Sequence, residues 1–272
     1  MPTQTHAHGY VHGYSRREAE RLADQASTLV DLIHGGTGYS PGERVLEAGC
    51  GIGAQTVSLA AASPGARFTS VDISEESLAQ ARTAVAAREL VNVDFLRADI
   101  FDLPFAPDSF DHVFVCFLLE HLAEPERALT RLRRVLRPGG TITVMEGDHG
   151  SCYFHPETDE AINAWRCLVE SQARLGGDSL IGRRLYPLLA GAGFAEVQVE
   201  PRMVYIDEGK PALVEGFIRR TIIPMVEGVR GQALAGGLMD QAAWERGIAG
   251  LRRTAQAGGT FCYTFFKGLA VK

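Results

Sequence analysis

Val45-Leu46-Glu47-Ala48-Gly49-Cys50-Gly51-Ile52-Gly53-Ala54 runs from a short apolar strand, through a glycine at every second position, into a helix beginning near Gln55. Such a loop presents a nucleotide-type ligand to a helix N-terminus, outside the carboxyl end of a parallel strand. Gly49-x-Gly51-x-x-Ala54 satisfies the dinucleotide fingerprint in a loose form, so a nicotinamide dehydrogenase is one reading. Glu47 opposes it. The residue ends the strand inside the crevice, where a pyrophosphate would meet a carboxylate and be repelled. A ligand with positive charge and no phosphate suits Glu47 better.

Outward from this loop, strands and helices alternate. Arg44 to Glu47 reads as a buried strand and Gln55 to Ala62 as its helix. Arg67 to Val71 is a second strand, with Ser74 capping a helix over Glu75 to Glu89, and Asn92 to Leu96 is a third. Phe110 to Phe117 is the fourth, followed by the helix Pro125 to Leu136. After the turn Pro138-Gly139-Gly140, Thr141 to Glu146 is the fifth. Apolar runs separated by amphipathic helices imply βαβ crossovers and a doubly wound α/β sheet covered on both faces.

Upstream, Ala19, Leu22, Ala26, Leu29 and Ile33 share one face of a helix predicted over Ser15 to Ile33, with Ser15 and Glu18 as its capping box. Downstream, helices are expected over Asp159 to Leu175, with Ile162, Trp165, Val169 and Gln172 on one stripe, and over Arg183 to Ala192. Strands are expected over Phe194 to Val199 and Gly259 to Phe266. The roughly sixty residues between those strands hold helices over Ala212 to Ile223 and Gln241 to Ala255, long enough to cap a ligand crevice. A stability appendage is the competing reading. Three regions follow: 1–40 as an N-terminal lid and helix, 41–150 as the ligand-binding core, and 151–272 as the rest of the sheet with a helical cap.

The chain has 272 residues, 46% of them hydrophobic, and a net charge of −6. That length buries a core without a disulfide or metal staple. Cys50, Cys116, Cys152, Cys167 and Cys262 form no CxxC pair, which argues against a zinc ribbon and for a reducing cytosol. The acidic balance without a basic run disfavours a nucleic-acid surface. The apolar stretch around Val113 to Leu119 is too short to span a bilayer. Met1 to Tyr14 is polar with no apolar signal core, so a cytoplasmic protein is expected. His6, His8 and His12 precede every ordered element, and no metal site is expected.

Two further acids join Glu47. Asp72 closes the second strand, where a carboxylate can accept both hydroxyls of a ribose. Asp99 follows the third, where it can take an adenine amino group. Each alone reads as a surface residue or helix cap, but acids at three successive strand ends are a far stronger signal. S-adenosylmethionine, with its ammonium and sulfonium and no phosphate, is the ligand they suit.

The ordered segments Val45 to Gly53, Ser70-Val71-Asp72, Ala98-Asp99-Ile100, Phe110-Asp111-His112-Val113 and Leu136-Arg137-Pro138-Gly139-Gly140 resemble the motifs of class I S-adenosylmethionine-dependent methyltransferases. The resemblance implies a Rossmann-like seven-stranded sheet whose last strand is antiparallel, with Phe194 to Val199 and Gly259 to Phe266 as strands six and seven. The whole chain is similar to bacterial small-molecule methyltransferases of secondary metabolism with a Tyr-rich N-terminus, a group that includes indole C-methyltransferases. It implies that Glu47, Gly49, Cys50 and Gly51 line the methionine end, the last two through backbone. Asp72 and Ile73 would hold ribose and adenine, and Ala98, Asp99 and Ile100 the adenine. Cys116 would lie near the sulfonium, or be a buried core residue. Tyr14, with Tyr10 across a glycine hinge, would close over the cofactor as a lid.

Methyl transfer is an in-line displacement on an already activated centre, so a base is needed only where the nucleophile must lose a proton. The candidates follow strands four and five: Glu120-His121 and Glu146-Gly147-Asp148-His149. His149 is the preferred base, with Glu146 or Asp148 as an orienting carboxylate; a loop-ordering histidine is the competing reading. His121 reads as structural, and His155 as a pocket residue or a turn cap. Aromatic residues including Tyr153, Phe154, Trp165, Tyr186, Tyr205, Phe217, Phe261 and Tyr263 gather in the second half, mostly as core. Some could line a flat site, so the expected acceptor is a small aromatic or heteroaromatic molecule, an indole-type carbon among them. O- or N-methylation of another metabolite, a cofactor-binding protein without catalysis and a nucleic-acid methyltransferase are the rivals. The last lacks its Asn/Asp-Pro-Pro-Tyr motif, Cys116-Phe117-Leu118-Leu119 standing in its place. The N-terminal segment could pack across a homodimer.

Overall fold

The computed structural model describes residues 16–272, and only the backbone of Arg16, Arg17 and Ala19. The expectations on His6, His8, Tyr10, His12, Tyr14 and the Ser15 cap lie outside the described residues.

Short runs form one half of the sheet: β1 (Arg44–Ala48), β2 (Arg67–Asp72), β3 (Val93–Arg97) and β4 (Phe110–Cys116). Of these, β1, β2 and β4 are largely buried, as parallel strands covered on both faces require, while β3 is the partly exposed edge. Three longer strands follow: β5 (Leu136–His155), β6 (Ala195–Ile206) and β7 (Thr260–Val271). One sheet holds all seven in the order β3-β2-β1-β4-β5-β7-β6. The first five are parallel, and β7 runs antiparallel to both β5 and β6. This is the Rossmann-like sheet with an antiparallel last strand that the motifs imply.

The crossover helices are α3 (Ala54–Ala62), α4 (Glu75–Ala86) and α5 (Pro125–Val135). Local chemistry sets their starts. Ser74 accepts the Ser77 N–H, with Glu75 and Glu76 in the first turn beside the helix-dipole positive end. Pro125 opens α5, where a missing N–H leaves no bond unmade. Thr158 caps α6 (Asp159–Arg174) in the same way as Ser74. The buried stripe of α6 is Ala161, Ala164, Trp165, Leu168, Ser171 and Gln172, rotated from the expected one; Ile162 and Val169 are only half-buried.

At the N-terminus one expected helix is two, α1 (Arg16–Thr28) and α2 (Val30–His34), broken at Leu29. After α6 come a short 3-10 turn at Ile181–Arg184 and α7 (Leu185–Gly191). Between β6 and β7 lie α8 (Pro211–Leu213), a π-helical stretch Val214–Ile222, α9 (Ile223–Gly228), α10 (Arg230–Ala235) and α11 (Gln241–Arg253). The π stretch differs from the expected α-helix. Ile223 N–H reaches back five residues to the Ile218 carbonyl, and Pro224 next to it has no N–H to close an α-turn. This cap packs on one sheet face around Met145, Trp165, Phe217, Trp244, Phe261 and Phe265. The opposite face packs Val113, Leu129, Ile142 and Leu185.

β5 extends well beyond the expected Thr141 to Glu146, because β7 pairs with it as far as His155. The expected turn at Pro138-Gly139-Gly140 is an irregularity inside this strand: Leu136 pairs with Phe110 and Thr141 with His112. A second irregularity contains the catalytic candidate His149. Asp148 pairs with Thr264 and Cys152 with Tyr263, so His149, Gly150 and Ser151 arch out of the ladder. Bulges of this kind re-aim side chains beside sites.

Candidate active site

A cavity of about 660 Å³ opens at the carboxyl ends of the central strands, with α1 and Met225 of α9 contributing walls. Its two ends differ in chemistry.

At one end the glycine loop turns from β1 into α3, and four of its N–H groups are spent within the protein. Gly49 N and Cys50 N both donate to the Val71 carbonyl, at 2.9 and 3.0 Å. Gly51 N donates to Asp72 Oδ2 at 2.8 Å, and Gly53 N to the Cys50 carbonyl at 2.9 Å. Gly53 has a φ of 79° and abuts Ala81 of α4, so a side chain there meets both strain and collision. A loop with these donors consumed offers no nest for a pyrophosphate, which is what the dehydrogenase reading needs. What it offers is carboxylate. Glu47 is 2% exposed; Thr56 and Ser70 hydroxyls donate to its Oε2 at 2.7 and 2.6 Å. Its Oε1 has no hydrogen-bond partner among the described residues. Burial first, and then the charge of Asp72, pushes its pKa up to about 7, against the pull of the two hydroxyls. A carboxyl held this way is short of a cation. Asp72 also accepts the Ser74 N–H at 2.9 Å, so each of its oxygens already has one backbone donor and one lone pair to spare. Ile73 is 53% exposed, and Asp99 is exposed with Oδ1 on the Phe101 N–H at 2.8 Å.

The other end belongs to the bulge of β5 and to the cap. The period of two along β5 turns Met145, Gly147 and His149 to the cap side, and Glu146 and Asp148 to the other face. His149 is 7% exposed and lines the cavity. Its Nδ1 stands 2.6 Å from the Tyr263 hydroxyl, its carbonyl accepts the Trp165 indole N–H at 2.7 Å, and its N–H donates to the Ser179 carbonyl. Burial holds its pKa below the ordinary histidine value, and does the same for His121. Cys116, at the end of β4, is pushed far up by burial and by the charges of Glu146, Glu47 and Glu120, so its thiol stays protonated and a poor nucleophile.

The residues proposed for the cofactor, Glu47, Gly49, Cys50, Gly51, Asp72, Ile73, Ala98, Asp99, Ile100 and Cys116, all line this one cavity, and so does His149. Glu146 does not. It is fully buried on the far face, where its Oε1 accepts the Leu118 and Leu119 N–H groups at 3.0 and 2.7 Å. Burial and Glu120 drive its pKa far up. The expected orienting carboxylate for His149 is therefore a phenol. Asp148 instead closes the bulge: it accepts Gly150 N and Ser151 Oγ, and takes a bidentate pair from Arg183 with both distances 2.8 Å. Period-2 alternation in a longer strand would have separated Glu146 from His149, had the strand's length been legible. His155 is exposed and does not line the cavity. Sequence reading missed Glu18 and Arg21 of α1, an ion pair joined at 2.8 and 2.6 Å, 8% and 6% exposed, that walls the cavity. Their i, i+3 spacing was the available signal.

A sheet in this order, with a cavity at its strand ends and acids in place of phosphate donors, defines a Rossmann-like protein for a cationic nucleoside ligand. Residues 46–144 match the family described as a methyltransferase domain. An O-methyltransferase of Penicillium expansum is 34% identical over 200 residues, covering 70% of this chain and 67% of that protein. A demethylmenaquinone methyltransferase of Clavibacter sepedonicus is 42% identical over 105 residues, 39% of this chain and 41% of that one. The crystal structure of the cyclase SpnF superposes with a TM-score of 0.57 at 22% identity, over 92% of this chain and 80% of that one. The chain spans about half the length of several curated relatives it matches. It belongs to the class I S-adenosylmethionine-dependent methyltransferases.

Proposed function

We propose that this chain transfers the methyl group of S-adenosylmethionine to a small aromatic or heteroaromatic acceptor held at the cap end of the cavity. The observation that carries this is the glycine loop: its named N–H groups are bonded internally while Glu47 faces the cavity short of a cation. The cofactor supplies a methyl on a positively charged sulfur, already activated for displacement. Glu47 would hold its ammonium, Asp72 its ribose and Asp99 the adenine edge, with Ile73 against the ring. His149, Tyr263, Phe265 and Met225 would surround the acceptor and exclude water.

Two relatives support a small acceptor, since their names state O-methylation and a quinone precursor. An indole-type carbon belongs to the same reading through the likeness of the whole chain to a group that includes indole C-methyltransferases. Homodimerisation and a cytoplasmic setting are proposed with it, and sedimentation tests the first. Fold alone does not fix the chemistry, as the cyclase named above illustrates. A labelled-methyl screen over phenols, indoles, amines and quinones tests the proposal, with S-adenosylhomocysteine as the second readout. No labelled product and no S-adenosylhomocysteine from any class, in protein that binds the cofactor, would leave a binding protein without catalysis.

A further inference from the structure

We infer that Tyr263 fixes the tautomer of His149, so that this histidine presents an N–H donor to the acceptor rather than a basic lone pair, which makes Tyr263 a positioning residue and favours acceptors that offer an oxygen lone pair. The acceptor half of this rests on the methyltransferase reading; the tautomer does not.

The inference follows from accounting for one proton. The Tyr263 side chain is 2% exposed, and among the described residues its hydroxyl has a single hydrogen-bond partner, His149 Nδ1 at 2.6 Å. Two arrangements fit that distance. If Nδ1–H donates to the phenol oxygen, the phenol proton is left in a buried place without an acceptor, at about 1–3 kcal/mol. If the phenol donates to Nδ1, both the phenol proton and the Nδ1 lone pair are used. The ring proton then sits on Nε2, which has no partner among the described residues. Burial, with Glu120, Cys152, Asp148 and Glu146 around it, drives the phenol pKa far above its ordinary value, so the hydroxyl keeps its proton to donate. Burial also keeps the imidazole neutral, against the opposing charges of Glu120 and Asp148 and with the help of Arg21 and His121.

The surroundings hold this geometry. The bulge places His149 opposite no ladder partner, and Asp148 locks the bulge through Gly150, Ser151 and Arg183. Trp165 and Tyr263 flank the ring, with centroids 5.4 and 5.7 Å away. Gly147 is the other half of the device. A Cβ at that position would stand 2.5 Å from the Tyr263 hydroxyl, so only glycine lets the phenol reach Nδ1. An imidazole whose donor is fixed on Nε2 cannot take the acceptor's proton without reversing the phenol bond. It can bond an oxygen of a hydroxyarene or a quinone, and it matches the N–H of an indole poorly.

The test needs no substrate. Imidazole nitrogen NMR on the full chain labelled with ¹⁵N-histidine, with the His149 signals identified by their loss in His149→Gln, reports which nitrogen carries the proton. The expected result at neutral pH is a protonated Nε2 and a bare Nδ1 in wild type, with a mixture of tautomers in Tyr263→Phe. A protonated Nδ1 in wild type, or an unchanged tautomer in Tyr263→Phe, overturns the inference whether or not the protein is a methyltransferase. With any acceptor found to turn over, His149→Gln keeps a donor but no base. It should stay within about tenfold of wild-type kcat while His149→Ala falls about a hundredfold. Equal loss in both variants would make His149 the base and overturn the donor role.

Discussion

The two ends of the cavity are built by different means. At the proposed cofactor end, Glu47 is the penultimate residue of β1, Asp72 ends β2 and Asp99 lies two residues past β3, so each acid is positioned by the strand it belongs to or follows. At the proposed acceptor end, His149 comes from a bulge in β5, Tyr263 from β7, Arg21 from α1 and Met225 from α9. The first end is local chemistry repeated three times along a parallel sheet. The second exists only once distant segments have packed. Damage to the first should therefore appear as lost cofactor affinity in a stable protein, and damage to the second as lost stability or turnover with the cofactor still bound.

The largest effect is expected at Asp148. Asp148→Ala removes an accepting carboxylate whose side chain is 1% exposed and leaves Gly150 N and Ser151 Oγ without their partner. The Arg183 side chain is 47% exposed, so its share is discounted for solvent, and the loss is about 2–4 kcal/mol of folding stability. Denaturant unfolding measures it. A variant as stable as wild type would show that the bulge needs no latch.

Asp72→Ala comes next, on the other side of the comparison. It should weaken S-adenosylhomocysteine by about 2–3 kcal/mol, since ribose bonds and the Gly51 tether go together. Calorimetry showing unchanged affinity in folded protein would remove Asp72 from the site, and a collapse in stability larger than the loss in affinity would erase the contrast between the ends.

The smallest effect is a pH dependence. Glu47 titrates at about 7 in the ligand-free protein, and a ligand ammonium needs it ionised. Affinity should rise about tenfold from pH 6 to pH 8 and then level off, with a proton released on binding. Without ligand the sign is opposite. The fold holds this proton better than the unfolded chain does, so Glu47 costs stability as pH climbs from 4.5 to about 7. Glu47→Gln should recover that stability above neutrality while abolishing the pH dependence of binding. Affinity that is flat across this range would separate Glu47 from the ammonium.

The same divide separates what is legible in the sequence from what is not. The acids, the glycine loop and the alternation of strands and helices were legible because each is a pattern within a few residues. Glu146-Gly147-Asp148-His149 is expected to follow strand five, because the apolar run that marks the strand stops at Glu146. It is strand because β7, more than a hundred residues later in sequence, pairs with it. That pairing sends Glu146 to the far face and leaves His149 beside a phenol in place of a carboxylate. The inward face of α1 was read as apolar, and the structure buries Glu18 and Arg21 there, because an ion pair hides from a hydrophobic pattern once its partners satisfy each other. The π-helical Val214–Ile222 fell to the same limit. Its periodicity looks α-helical, and only the bond that the Ile223 N–H makes to the Ile218 carbonyl beside Pro224 shows the wider turn.

The sequence by itself determined the doubly wound sheet and the acidic crevice at its strand ends, because buried parallel strands and strand-terminal carboxylates are fixed by short-range order. Only the tertiary structure decided what lines the other end of the cavity. A bulge, a phenol from an antiparallel partner and an ion pair on a neighbouring helix meet through pairing register and packing, and those are properties of segments far apart in the chain.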